Sequence, residues 1–184
     1  MSTQSSLKEE ISLKKFKEKI LNDFRTICLS REVSILGRRE VLLGKGKFGI
    51  FGDGKELPQI VMNHFFKNGD YRTGYYRDQT ILMAQGLLSA REIFSAIYGH
   101  PDQLYERMSG GRQMVGHFLT DTIDENDNWI DQVNQKNHIS DVSPTASQMS
   151  RLVGLGLASK IYRKTRRVHP GRHTAVKRSW RRTK

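Results

Sequence analysis

Three short stretches of the sequence combine residue types that could bind an anionic ligand. The first, residues 74–80, reads GYYRDQT, so Tyr75 and Tyr76 place two phenol groups beside the guanidinium of Arg77. Phenol O–H groups and a planar guanidinium can donate several hydrogen bonds to a phosphate oxygen. The alternative for this stretch is structural, namely an ion pair between Arg77 and Asp78 at the surface.

The second stretch, residues 109–118, reads SGGRQMVGHF. Its first three residues, Ser109, Gly110 and Gly111, make the beginning of this segment flexible. Arg112 and His117 then place a guanidinium and an imidazole in a predicted loop. Binding and catalytic residues are disproportionately found on loops that a rigid scaffold positions.

The third stretch, residues 140–149, reads SDVSPTASQM and leads into a predicted helix. Ser143 and Pro144 are well suited to the start of a helix. Ser147 and Gln148 could hydrogen-bond a ligand, or they could simply cap the helix that follows.

Other motifs match known sites only in part. Residues 44–49, GKGKFG, fit a dinucleotide-binding pattern in letters, but the residues that follow cannot begin a helix there. Residues 52–54, GDG, are interpreted as a turn because no Asn-Asn pair closes a metal motif near residues 76–83. The histidines and the single Cys28 do not have the spacing of a zinc site.

Helices account for most of the elements that must position these stretches. Apolar residues recur at helical spacing over residues 7–28 and 79–98, where we expect helices. We also expect helices over residues 57–66 and 149–162, with a brief one over 101–108. Pro58 suits the first turn of the second helix, and Gly99 suits the end of the third. Gly154 and Gly156 give the last helix a small-residue face that favours close packing against another backbone. Residues 48–51, FGIF, are the best strand candidate, and residues 36–56 and 109–147 lack clear periodicity.

Charge is distributed unevenly along the 184 residues. The net charge is +12, but residues 163–184 carry +10 and residues 1–162 only +2. The chain therefore divides into a flexible N-terminus over 1–13, a nearly balanced body over 14–162, and a basic tail over 163–184 expected to be disordered. The tail could be an arm for RNA or membrane phosphates, a solvated terminus, or the product of a shifted reading frame.

The remaining composition favours a cytoplasmic protein. One cysteine excludes an internal disulfide and is typical of a reducing compartment. No apolar run has the roughly 18 residues of a membrane span, and the N-terminus lacks the order of a signal peptide.

Taken together and in this order, the three stretches resemble one family over about residues 14–162. The chain is similar to the alpha-type part of the thiamin-diphosphate-dependent first component of 2-oxo acid dehydrogenase complexes. Within that family it is most similar to the branched-chain (2-oxoisovalerate) type, in the form that fuses alpha and beta parts. The resemblance implies an α/β, thiamin-diphosphate-binding fold. Here that fold would be truncated before most of its parallel sheet, and so would be mostly helical with long ordered loops.

The resemblance also implies roles for individual residues. Tyr76 and Arg77 match the pair that holds the cofactor diphosphate, and Ser143 and Thr145 match the loop against its aminopyrimidine ring. His117 matches a histidine at the cofactor and substrate pocket. Two further matches are structural: Ser147 and Gln148 to a polar pair that in some members holds potassium, and Gly154 and Gly156 to a tightly packed helix.

The sequence also departs from the family pattern. The magnesium-binding Gly-Asp-x motif and its distal Asn should begin some tens of residues after Tyr162, where the basic tail stands instead. The catalytic glutamate of the family belongs to the beta-type part. For this reason we favour the shifted-frame interpretation of the tail. We also expect the 184-residue chain to bind thiamin diphosphate with magnesium weakly or not at all, and to be inactive alone.

The resemblance therefore predicts a fragment of an enzyme that decarboxylates a branched-chain 2-oxo acid and transfers the acyl group to a lipoyl arm. Its partners would be the beta-type part and the lipoyl-bearing acyltransferase, without a membrane. One alternative is a basic RNA-binding or ribosome-associated protein acting through residues 163–184, against which the body's charge of +2 argues. Another is a non-catalytic interaction module using the 149–162 helix.

Overall fold

The computed structural model describes residues 12–140 and 143–165 as a mostly helical protein with one small sheet. In chain order the elements are α1 (Leu13–Leu42), α2 (Glu56–Phe65), β1 (Tyr71–Thr73), α3 (Gln79–Ala84), α4 (Ala90–Tyr98), β2 (Asn137–Ile139) and α5 (Gln148–Thr165). The two strands are parallel, with Arg72 opposite His138 in the register. This architecture agrees with the predominance of helix that the sequence predicts.

Helix α1 extends fourteen residues beyond the predicted end at residue 28, so part of the segment interpreted as irregular is helical. Its buried residues are Ser30, Val33, Ser34 and Gly37, of which only one has a large apolar side chain. Small and polar residues give no amphipathic signal, which is why the prediction ended too early. The apolar residues that carried the prediction, from Phe16 to Phe24, are at least half exposed.

Hydrogen bonds between small buried side chains join α1 to α3. Ser30 Oγ lies 2.7 Å from Thr80 Oγ1, and Gln79 Nε2 donates to Ser34 Oγ at 2.6 Å. Buried hydroxyl and amide groups are costly unless they are paired, so these contacts fix the position of α3 against α1. The first residues of α3 directly follow the GYYRD stretch, and the contacts therefore also fix that stretch.

The predicted helix over residues 79–98 is wrong as a single element, because it divides into α3 and α4. Gly86 has φ +69°, a left-handed conformation that ends the first helix and that glycine adopts without strain. Ser89 and Glu92 then form a capping box that begins α4. Gly99 ends α4 in the left-handed conformation, as its position in the sequence predicts.

The predicted strand over residues 48–51 is absent, since this segment is irregular. Phe51 instead enters the core beside Val33, Ile93, Ile97 and Val115. The two observed strands have only three residues each and include buried polar side chains, so they lack the apolar alternation by which strands are predicted. Residues 101–108 form turns rather than the predicted brief helix.

The predicted helices over residues 57–66 and 149–162 correspond to α2 and α5. The small-residue face of α5 does not pack as predicted. A Cβ added at Gly154 or Gly156 would meet no described atom within 4 Å.

Among the described helices, none is both long enough and apolar enough to cross a membrane. Residues 1–11 and most of the basic tail, from residue 166, lie outside the described residues, as do Leu7 and Ile11 of the first predicted helix.

Candidate functional site

The GYYRD stretch forms a turn between β1 and α3 that Asp78 holds in place. Asp78 Oδ2 accepts hydrogen bonds from the Tyr75 backbone N at 3.0 Å and from Arg72 Nη2 at 3.1 Å. The ion pair of Asp78 is therefore with Arg72 rather than with Arg77, and the structural alternative for this stretch is wrong. The guanidinium of Arg77 is not committed to Asp78 and remains next to the tyrosines.

Two glycines hold the Tyr76–Arg77 backbone from either side. A Cβ on Gly116 would collide with the Tyr76 carbonyl, and one on Gly52 would collide with the Arg77 carbonyl. Gln59 Nε2 donates to that Arg77 carbonyl at 3.1 Å. The GDG segment that the sequence suggests is a simple turn thus supplies one side of this backbone clamp, and the loop before His117 supplies the other.

The tyrosine hydroxyls and the guanidinium form one cluster. Tyr75 donates to the Tyr76 hydroxyl at 2.7 Å, and the rings lie 4.1 Å apart between centroids. Arg77 Cζ lies 5.3 Å from the Tyr76 ring centroid and 5.8 Å from that of Tyr75. Hydrogen bonding with Thr145 and then with Tyr76 lowers the pKa of Tyr75, so Tyr75 ionises first. Its phenolate then accepts a hydrogen bond from Tyr76, and this raises the pKa of Tyr76. Tyr76 therefore retains its proton throughout the neutral range.

The loop that begins at Ser143 contacts this cluster and His117. Ser143 Oγ lies 3.1 Å from His117 Nε2, and Thr145 Oγ1 lies 3.3 Å from the Tyr75 hydroxyl. Thr73 Oγ1 at the end of β1 donates to the Gln148 carbonyl at 3.2 Å, which fixes the start of α5 beside the strand. Residues from all three stretches that the sequence singles out are thus linked by direct contacts.

Two buried polar atoms of these predicted site residues lack a hydrogen-bond partner in the described structure. They are Arg77 Nε and Gln148 Oε1. Such atoms are rare in native proteins and indicate a missing ligand or water. A guanidinium and two phenols fit the oxygens of a diphosphate, so the residues present fit that part of thiamin diphosphate. The described hydrogen bonds of Ser147 use its backbone: its N donates to the Pro144 carbonyl at 3.2 Å, and its carbonyl accepts from Ser150 Oγ at 2.8 Å. The paired potassium ligands predicted at Ser147 and Gln148 stay a prediction.

Glu106 organises the loop between α4 and His117, and sequence reasoning missed it. The residue is 4% exposed, and its carboxylate accepts hydrogen bonds from Met108 N, Ser109 N, Ser109 Oγ and Gly111 N at 2.7–3.1 Å. Burial acts to raise the pKa of Glu106, but these hydrogen bonds outweigh it and hold the pKa below its usual value. In the sequence, a glutamate near a Ser-Gly-Gly segment has the pattern of a surface residue. Nothing in that pattern indicates that it is buried and accepts hydrogen bonds from the loop.

Arg112, the other basic group of this loop, folds back onto its own turn. Its Nε donates to the Ser109 carbonyl at 2.9 Å, and the residue is exposed. It therefore does not join the cluster around Tyr76. No group of three or more His, Cys, Asp or Glu that could hold a metal ion occurs within residues 12–140 and 143–165.

Comparison with known proteins agrees with the family resemblance at low identity. No family model matches the chain. The chain is 29% identical over 147 residues to the 2-oxoisovalerate dehydrogenase subunit alpha of Bacillus subtilis (strain 168). The match covers 77% of this chain but 38% of that subunit, so the chain spans less than half the length of the relative. The chain is therefore similar, over most of its residues, to a part of a 2-oxo acid dehydrogenase component.

Proposed function

We propose that this chain provides the diphosphate-binding part of a thiamin-diphosphate site in a 2-oxo acid dehydrogenase component of the alpha type. The observation that carries this proposal is the cluster of Tyr76 and Arg77 on a backbone held between Gly52 and Gly116. The similarity to a 2-oxoisovalerate dehydrogenase alpha subunit supports the same conclusion.

Each residue of the cluster has a distinct task. The Tyr76 hydroxyl and the Arg77 guanidinium hold the diphosphate, since charge-assisted hydrogen bonds from a guanidinium are among the strongest in proteins. Ser143 and Thr145, in the loop that contacts the cluster, lie against the aminopyrimidine ring. His117, with Nε2 beside Ser143 Oγ, can donate or accept a proton at the substrate, depending on its tautomer.

Thiamin diphosphate supplies an electron sink for the decarboxylation of a 2-oxo acid. The chain's own contribution is to bind and orient the diphosphate. Rigid support for that binding comes from α3, whose first turn is fixed to α1 by buried hydrogen bonds. The substrate is a branched-chain 2-oxo acid, and the acyl group passes to a lipoyl-bearing acyltransferase.

Among the described residues, no group of three or more His, Cys, Asp or Glu is placed to hold a metal ion, and no magnesium ligand is assigned to them here. In the proposed complex, other residues supply the metal ligands, and a beta-type partner supplies the acid that activates the ring. We propose that the 184-residue chain alone binds the cofactor only weakly, is inactive, and acts in the cytoplasm within the larger complex.

Calorimetric titration tests this proposal. The chain should bind thiamin diphosphate with a dissociation constant on the order of millimolar, as a few hydrogen bonds allow, and Mg²⁺ should not strengthen the binding. Arg77→Gln should weaken binding by about tenfold or more. Arg25→Gln, which removes an equal charge from an exposed position on α1, is the matched control and should have no effect.

Three results would count against the proposal. Micromolar, magnesium-dependent binding would show that the chain holds a complete metal site. Equal binding by the wild type and Arg77→Gln would remove Arg77 from the site. Equal binding of thiamin diphosphate and inorganic diphosphate would mean that the site does not recognise the thiamin part.

A further inference from the structure

Tyr75 connects two residues to which the family resemblance gives separate roles. Its hydroxyl lies 2.7 Å from the Tyr76 hydroxyl and 3.3 Å from Thr145 Oγ1. Tyr76 belongs to the turn before α3, and Thr145 belongs to the loop before α5. The Tyr75 hydroxyl is therefore a direct bridge between the diphosphate-binding turn and the loop that faces the ring.

The direction of the protons along this bridge follows from the number of donors. A phenol has a single O–H proton, and that of Tyr75 is donated to Tyr76. The contact with Thr145 must then use the threonine proton, so Thr145 donates to Tyr75. The proton of Tyr76 is consumed by neither neighbour and is available to an acceptor outside the bridge.

Hydrogen bonds in such a chain strengthen one another. A hydroxyl that accepts a hydrogen bond becomes a better donor, particularly where water is partly excluded. Tyr76 is 7% exposed, so its hydroxyl has few other ways to find a partner. The Arg77 guanidinium lies near both rings and attracts an anion to the same place.

Tyr75 is itself held rigidly. Its backbone N donates to Asp78 Oδ2 at 3.0 Å, and its ring packs on that of Tyr76. Asp78 is fixed in turn by Arg72. A rigid donor can direct a neighbouring proton at little entropic cost, because few rotamers remain to be lost.

We propose that Tyr75 is a positioning residue for a diphosphate-bearing ligand. Its hydroxyl directs the Tyr76 proton toward a phosphate oxygen and connects occupancy of that site to the loop that contains Thr145. This inference rests on the proposed function, since it takes Tyr76 as a diphosphate ligand. It assigns Tyr75 and Thr145 a joint task that the family resemblance does not give them.

The experiment compares Tyr75→Phe with Tyr98→Phe. Tyr98 also donates through its hydroxyl, to Glu40 Oε2 at 3.0 Å, but it lies on α4 away from the site. Binding of inorganic diphosphate and of thiamin diphosphate to the full chain is measured by NMR titration. Tyr75→Phe should weaken both by about three- to tenfold, as expected for one hydrogen bond, and Tyr98→Phe should leave both unchanged.

The Tyr76 ionisation gives a readout that a purely structural role would not change. Tyr75 ionises before Tyr76, and its phenolate then accepts a hydrogen bond from Tyr76, which raises the pKa of Tyr76. Because Tyr75→Phe has no such phenolate, the pKa of Tyr76 should fall in this variant. Thr145→Val provides a second variant in case Tyr75→Phe folds poorly. If the three hydroxyls act as one chain, Thr145→Val should weaken binding like Tyr75→Phe, and the double variant should show less than the sum of the two effects.

Other binding results would overturn the role of Tyr75, the proposed function, or both. Unchanged diphosphate binding in Tyr75→Phe, or fully additive effects with Thr145→Val, would overturn the role of Tyr75 and leave the proposed function standing. Binding of inorganic diphosphate that depends on Tyr75, without tighter binding of thiamin diphosphate, would support Tyr75 and overturn the proposed function. A wild-type chain that binds neither compound would overturn both.

Discussion

Replacing Glu106 with glutamine should destabilise the protein and disturb the loop that carries Gly116 and His117. The carboxylate is buried and accepts four hydrogen bonds from residues 108–111. Glutamine has nearly the same shape, but it offers one oxygen and one NH₂ group. At least one of the four donors would then face another donor.

The magnitude follows from these contacts. One buried N–H without an acceptor costs about 1–3 kcal/mol, and loss of charge weakens each of the other three bonds by about 0.5–1 kcal/mol. Glutamine is cheaper to bury than a carboxylate, which offsets part of the cost. We therefore expect Glu106→Gln to lower the free energy of unfolding by about 2–4 kcal/mol, a large fraction of the usual stability of a domain.

Urea unfolding followed by circular dichroism measures this change. Glu125→Gln is the matched control, because it makes the same chemical change at an exposed position and should alter stability by less than about 0.5 kcal/mol. The NMR signals of residues 108–117 should shift in Glu106→Gln and not in the control. A Glu106→Gln protein as stable as the wild type would refute the role assigned to this carboxylate.

Three further predictions concern pH and backbone packing. Because the pKa of Glu106 is lowered, its stabilisation is complete above about pH 4.5 and lost below, so the stability difference from Glu106→Gln should shrink in acid. Burial, Arg72 and Lys136 lower the pKa of His138 from 6.5 to about 3. Between about pH 6.5 and pH 3 the unfolded state binds this proton and the folded state does not, so His138 should lower the unfolding free energy by about 1.4 kcal/mol per pH unit as the pH falls. His138→Gln should remove this contribution in urea titrations. Gly116→Ala should lower the free energy of unfolding by at least about 2 kcal/mol and weaken diphosphate binding, because Gly116 has φ +99° and lies against the Tyr76 backbone. Gly154→Ala is the control and should not destabilise the protein, because Gly154 lies on α5 with no described atom near its Cβ position.

The fold was predictable from the sequence where burial is apolar and periodic. Helix α2 follows from its amphipathic pattern, and the end of α4 follows from Gly99. The second half of α1 could not be predicted, because it packs through Ser30, Ser34 and Gly37, which carry little hydrophobic signal. The strands were missed because each has only three residues and the pair Arg72 and His138 is polar and buried.

The sequence was enough to predict which stretches form the candidate site, but not how their residues contact one another. The residue types in GYYRDQT indicate an anion site, and the structure brings that stretch into contact with Thr145. The pairing of Asp78 with Arg72 could not be predicted, since Arg72 joins the turn only through its position on β1. Gly52 was interpreted as a turn residue because its contact with the Arg77 carbonyl joins segments twenty-five residues apart.

The central claim is that Tyr76 and Arg77 hold the diphosphate of the cofactor. The most direct measurement is the side-chain NMR signal of Arg77 Nε–H during titration with thiamin diphosphate, because this buried group has no hydrogen-bond partner in the described structure. The account predicts that the signal moves and exchanges more slowly with solvent as the cofactor binds, and that thiamin without phosphate has no such effect. An unchanged Arg77 signal, with changes confined to residues 163–184, would contradict the claim.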